Sequence, residues 1–204
     1  MKRAVLAAAI ALVAVSCAPN IRTDYYMINT EPAMAKADTR FPLAVSVNNV
    51  RSPSRYQDQI NYRTSEFKVG FYEYSRWVEP PSEMVRRTLY TMLRESGLFE
   101  KVDPSDIAWN PDLILQSAIL NFDQVVEKDG EFAECALAME LLMRDTGKPV
   151  WSKQTRVRVK QEKKGMFIAA MSEAVAKAVA ESIADMERSA ALKELAAAKA
   201  KPKS

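Results

Sequence analysis

Cys17 and Cys135 are the only two thiols in the chain, and their settings differ. Cys17 closes the run Leu12-Val13-Ala14-Val15-Ser16-Cys17, where small residues precede a cysteine able to carry thioether-linked diacylglycerol. Cleavage before it would make Cys17 a new N-terminus; an ordinary secretory cut nearby would leave a plain thiol. Cys135 alternates with Leu137 and Met139, which marks it as a small apolar side chain of a core. In an oxidising compartment the two could pair as a disulfide, a pairing that lipidation of Cys17 removes.

Other chemistry is limited by what the chain lacks. It has no histidine, so Ser-His-Asp and Cys-His catalysis and histidine-based metal sites are excluded. Five glycines form no phosphate-cradling motif. Asp112, Asp123 and Glu134 could in principle supply carboxylate pairs of the glycoside-hydrolase kind, against the simpler reading of solvated acids at strand ends. Tyr72, Tyr74 and Trp77 could stack on a ligand or pack within a sheet. Arg156, Arg158 and Lys160 could meet anionic lipid headgroups or form a solvated basic face. The expectation is a protein with no catalytic residue, no metal and no cofactor.

These residues need elements to hold them. Met1-Lys2-Arg3 followed by the uncharged stretch from Ala4 to Val15 has the pattern of a secretory signal peptide. That stretch is shorter than the roughly 20 residues needed to cross a bilayer. The expected organisation is a signal peptide at 1–16, a lipid-anchored tether at 17–40, a globular domain at 41–188 and an Ala/Lys-rich tail at 189–204 left in solvent. The 29 basic residues exceed the 26 acidic ones by three, and Lys2 and Arg3 supply two of that excess. Nothing in that balance calls for nucleic acid.

Within the domain, the clearest helix starts at Glu79-Pro80-Pro81-Ser82-Glu83 and carries Met84, Val85, Leu89, Met92 and Leu93 on one face. Gly97 ends it, with Leu98 able to pack back on Leu93. Strands are expected around Leu43–Val50, Ile60–Thr64 and Lys68–Trp77, with Tyr25-Tyr26-Met27-Ile28 as a short insert able to dock as another. Leu113 to Val126 reads as a central strand covered on both faces. Phe132–Arg144 is rich in helix formers, yet Cys135, Leu137, Met139, Leu141 and Met143 alternate strictly, so it reads as a strand. A third strand holds Trp151, Thr155, Val157 and Val159 opposite Ser152, Gln154, Arg156 and Arg158, the pattern of an open edge. On this reading a proline at Val157 would probe that edge. A second long helix carries Phe167, Met171, Ala174, Val175, Ala178, Val179, Ile183 and Met186 on one stripe. The fold class expected is α+β: a single domain with a mixed or antiparallel sheet and two helices packed on it.

Taken together, these segments resemble the ABC-type transport auxiliary lipoprotein family, which includes paraquat-inducible protein C-like lipoproteins. The likeness rests on Cys17 in a lipobox-like run, then Tyr25-Tyr26-Met27-Ile28, Gln59-Ile60-Asn61-Tyr62-Arg63, Trp77-Val78-Glu79-Pro80-Pro81-Ser82-Glu83-Met84, Leu93-Arg94-Glu95-Ser96-Gly97-Leu98-Phe99 and the late Trp151. Asn61 departs from the apolar residue that the family pattern suggests, and the Ala/Lys tail lies outside it. The resemblance implies a non-catalytic accessory of an ABC-driven lipid-trafficking system. Its partner would be a mammalian-cell-entry (MCE) domain protein, and a lipid on Cys17 would hold it to the outer membrane facing the periplasm. Ala18, in place of the aspartate that commonly retains lipoproteins in the inner membrane, resembles an outer-membrane sorting signal. Self-association is left open. A structural or assembly lipoprotein of the envelope is the competing reading, and a carboxylate hydrolase a third.

Overall fold

The computed structural model describes residues 22–30, 36–105, 110–163 and 166–200; Cys17 and the signal segment lie outside them. Eight strands form one mixed sheet: β1 (Asp24–Tyr26), β2 (Phe41–Arg51), β3 (Gln59–Arg63), β4 (Val69–Trp77), β5 (Phe99–Pro104), β6 (Leu113–Glu127), β7 (Gly130–Met143) and β8 (Pro149–Lys160). Three helices are described: α1 (Pro81–Ser96), α2 (Phe167–Arg188) and α3 (Ala190–Ala200).

The sheet is organised around β6. One of its edges pairs antiparallel with β7 along nearly its whole length, from Leu113↔Met143 to Glu127↔Gly130. The other edge is shared. β2 lies parallel to its first half, Leu113 to Ala118, and β3 parallel to its second, at Gln124 and Val125. The sheet therefore forks, continuing through β2 to β5 on one branch and through β3 and β4 to β1 on the other. The register of β6 against β7 shifts between Ile119 and Asn121, at the level of the fork.

β7 shows why alternation outweighs helix propensity. Ala133, Cys135, Leu137, Met139 and Leu141 are all buried, and only a period of two places them on one face. In a helix the same residues would be spread around the axis, leaving several in water. α2 packs on β7 and β8, and α1 on β2 and β5. The prolines start α1 as expected, with Pro81 its first residue. It stops at Gly97, whose φ of 69° suits glycine and whose N–H reaches the Arg94 carbonyl.

The fold is larger at both ends than the sequence suggests. The N-terminal segment is integral: β1 adds to β4, and Ile28 is buried between α1 and α2. There its neighbour Asn29 donates its N–H to Ser172 Oγ on α2, and Thr30 and Thr88 bring their hydroxyls together on the α1 side. At the other end, residues 190–200 form a third helix instead of a solvated tail. Leu192 is fully buried, Ala196 nearly so, and Lys199 pairs with Asp112. Leu192 and Leu195, flanked by alanines small enough to approach β2 and β8 closely, suffice to dock a helix whose charge had suggested solvent. β5, too, is absent from the sequence reading; its short run Phe99-Glu100-Lys101-Val102 carries too few alternating positions to mark a strand unaided.

Candidate interaction surface

The candidate surface begins at β8. It pairs only with β7 among the described residues, so its other side is an open edge. The backbone direction follows from one hydrogen bond and an unshifted register. Gln161 N–H donates to the Glu131 carbonyl at 2.8 Å. From Phe132↔Lys160 to Leu141↔Trp151 the pairing runs without a slip. Because backbone groups alternate sides along a strand, Trp151, Lys153, Thr155, Val157 and Val159 turn theirs toward β7. Ser152, Gln154, Arg156, Arg158 and Lys160, all exposed, turn theirs outward. Val157 is therefore a ladder residue, and a proline there would break the β7–β8 pairing instead of probing the edge. Gln154 is the position that reports on it.

Two of the three acids expected at strand ends behave otherwise. Asp123 and Glu134 face each other across β6 and β7 and are both buried. Glu134 Oε1 accepts from Arg63 at 2.8 Å and from Arg156 at 3.0 Å, and Arg158 Nε lies 3.8 Å from Oε2. Asp123 Oδ2 accepts from the Tyr56 hydroxyl at 2.8 Å. Three guanidinium groups and a phenol thus engage the pair, an arrangement that serves to neutralise buried charge. Asp112 sits elsewhere, accepting from the Ala44 N–H at 2.7 Å and pairing with Lys199. The three carboxylates do not converge. The basic row is likewise partly consumed: Arg158 also pairs with Glu127 and lies over the Phe132 ring at 4.5 Å, with Lys160 near the same ring.

The aromatic trio divides. Trp77 is core, meeting Phe122 at 5.5 Å and Phe167 at 6.2 Å between ring centroids. Tyr72 and Tyr74 are partly exposed. Tyr72 lines a cleft of about 290 Å³ with Tyr26, Ile60, Gln124, Glu131 and Phe167. At its polar side the Tyr72 hydroxyl donates to Gln124, whose amide donates to Glu131 at 2.9 Å and to Gln161 at 3.1 Å. Burial is the main cause that raises the Tyr72 phenol above its ordinary pKa, so it stays a donor. Little in the sequence marks this cleft. Its one signal was Gln124, a polar residue two places after Phe122 on the core side of a strand.

Cys135 is fully buried with a free thiol, which burial, helped by the Glu134 charge, pushes up to about 12. Among the described residues no group of three or more His, Cys, Asp or Glu side chains could hold a metal ion. No described helix is long and apolar enough to cross a membrane.

Comparison with known proteins places this geometry. The sequence model of the ABC-type transport auxiliary lipoprotein component matches residues 26–184. The crystal structure of protein XCC0632 from Xanthomonas campestris is similar with a TM-score of 0.68 at 15% identity, over 84% of this chain and 99% of that one. A crystal structure of an uncharacterized protein is similar at a TM-score of 0.60 and 18% identity, over 82% and 97%. Protein CT253 from Chlamydia trachomatis follows at 0.50 and 8%, over 72% and 97%. At these identities the likeness is one of fold. No curated protein sequence matches the chain.

Proposed function

The chain belongs to the ABC-type transport auxiliary lipoprotein family, and from that premise we propose that it is a non-catalytic docking component of an intermembrane lipid transport system. In this reading residues 1–16 are removed and Cys17 carries the lipid. The domain then faces the periplasm from the outer membrane, and an MCE-domain protein is its partner. The open edge of β8 is the observation that carries the docking role. Five alternate residues of β8 turn outward backbone groups that have no ladder partner among the described residues, on a strand whose inner face is anchored by Trp151, Thr155 and Val157. Such an edge accepts a strand from another chain, with affinity from main-chain hydrogen bonds. A lipid tether raises the effective concentration of that edge at the membrane.

Two experiments test this reading. Cys17→Ala should abolish labelled palmitate incorporation and release the protein from membranes; equal labelling of variant and parent would overturn the anchor. Crosslinking in envelopes should recover an MCE-domain protein with the parent, and Gln154→Pro should weaken that recovery while circular dichroism stays unchanged. A folded Gln154→Pro variant that crosslinks as well as the parent would remove the edge from the interface. Absence of any MCE-domain protein with the parent would remove the partner.

A further inference from the structure

The hairpin joining β3 and β4 carries apolar side chains that the described residues leave half or wholly exposed. Phe67 is 95% exposed at its tip, and Val69 and Phe71, two and four residues on, are 51% and 54% exposed. Alternation puts Val69 and Phe71 on one side of β4, and Phe67 stands in the connecting bend two residues before them. Single exposed apolar residues are ordinary, but three within five residues at one end of a hairpin form a patch that calls for a partner surface. The hairpin is braced from its other side. The Tyr62 ring crosses Gly70 so closely that a Cβ there would lie 2.5 Å from ring carbon, and Tyr62 meets Tyr72 at 5.1 Å. The Ser65 hydroxyl accepts from the Lys68 N–H at 3.1 Å, and the Thr64 N–H bonds the Lys68 carbonyl at 3.0 Å.

The topology says which surface the patch meets. β1 is parallel to β4, with Asp24 beside Ser75 and Tyr26 beside Trp77. β4 runs away from the tip, so the chain entering β1 comes from the direction of the tip. Cys17 lies seven residues before Asp24, a span of at most about 25 Å of extended chain. Phe67 lies eight residues before Ser75, at most about 26 Å along a strand. A bilayer holding a lipid on Cys17 is thus within reach of the hairpin tip. The opposite end of the sheet holds the β7–β8 turn around Lys148.

We propose that Phe67, Val69 and Phe71 insert into the interface of the same bilayer that anchors Cys17, giving the domain a second contact and a fixed orientation. This rests on the lipid-anchor reading of Cys17. The apolar side chains drive the contact; Lys68 stands beside Glu66, so the tip offers no net charge for anionic headgroups, and added salt should not release it.

The test uses the full lipidated chain reconstituted in phosphatidylethanolamine–phosphatidylglycerol vesicles. An environment-sensitive fluorophore is attached at Phe67→Cys or at Lys148→Cys, since the buried thiol of Cys135 does not compete for label. With nitroxide on the lipid acyl chains, the label at 67 should shift to the blue and lose most of its emission, at high salt as at low, while the label at 148 does neither. Equal behaviour of the two labels on vesicle-bound protein would overturn the hairpin contact and leave the anchor standing. A blue shift at 67 without lipid quenching would mean that protein covers the tip, and would overturn it too. Protein that fails to stay with the vesicles overturns the anchor and, with it, this proposal.

Discussion

The Tyr56 hydroxyl donates to Asp123 Oδ2 at 2.8 Å across the point where the sheet forks. Tyr56 lies in the turn between β2 and β3, the two strands that share one edge of β6, and it is almost fully buried. Its ring stands edge-on to Phe122 at 6.5 Å, and Phe122 leads through Trp77 to Phe167 at the start of α2. The fork is thus closed by one aromatic side chain and tied to the helix layer by three more. Desolvation first, then the Asp123 charge, pushes the Tyr56 phenol up to about 12, so it remains a donor at any pH the protein meets.

Tyr56→Phe should therefore cost about 1–3 kcal/mol, because Asp123 would lose its closest donor while staying buried. Urea unfolding of variant and parent measures this. An unchanged midpoint would mean that Asp123 finds compensation elsewhere.

Asp185 ties α2 to β8. It accepts from Trp151 Nε1 at 2.9 Å and from Lys153 Nζ at 3.1 Å, and the tryptophan hydrogen bond is the leading cause that holds its carboxyl below the ordinary range. A depressed folded pKa stabilises the fold above the unfolded value and loses that contribution as pH falls through the folded one. We expect Trp151→Phe to be less stable than the parent at neutral pH, with the gap narrowing once acid passes below about pH 4, the ordinary carboxylate value. Thermal unfolding across pH gives the comparison; a gap that widens in acid would contradict it.

The Cys135 thiol should resist thiol reagents in the native state and react fully on unfolding, as its burial and raised pKa require. Cys135→Ala should cost about 1 kcal/mol, the centre of single-residue effects. A disulfide in the mature protein, seen as a mass difference on reduction, would rule this out.

Leu192 is the most deeply buried side chain of α3. Leu192→Ala should cost about 2–5 kcal/mol if the helix is a working part of the fold. A neutral substitution in calorimetry would instead return residues 190–200 to the role of a solvated tail.

Much of this architecture was legible in the chain because its signals are local. The prolines and Gly97 bracket α1, and a strict period of two overrode the helical composition of β7, since face selection in a packed sheet outweighs propensity. The polar row of β8 marked an edge for the same reason. Alternation does not say which backbone groups face outward, however; that took the Gln161–Glu131 bond, and it moved the informative position from Val157 to Gln154. The burial of Asp123 and Glu134 was not legible either, because the arginines that neutralise them come from β3 and β8, far away in sequence. Nor was the docking of α3, whose Leu192 and Leu195 have a partner surface only once β2 and β8 are in place. By itself the sequence determined the period of each element and its inward face, which depend on neighbours a few residues apart. Only the tertiary structure decided the fork in the sheet, the pairing of buried charges and the end of the molecule from which the Phe67 hairpin projects, because each depends on strands that meet across long stretches of chain.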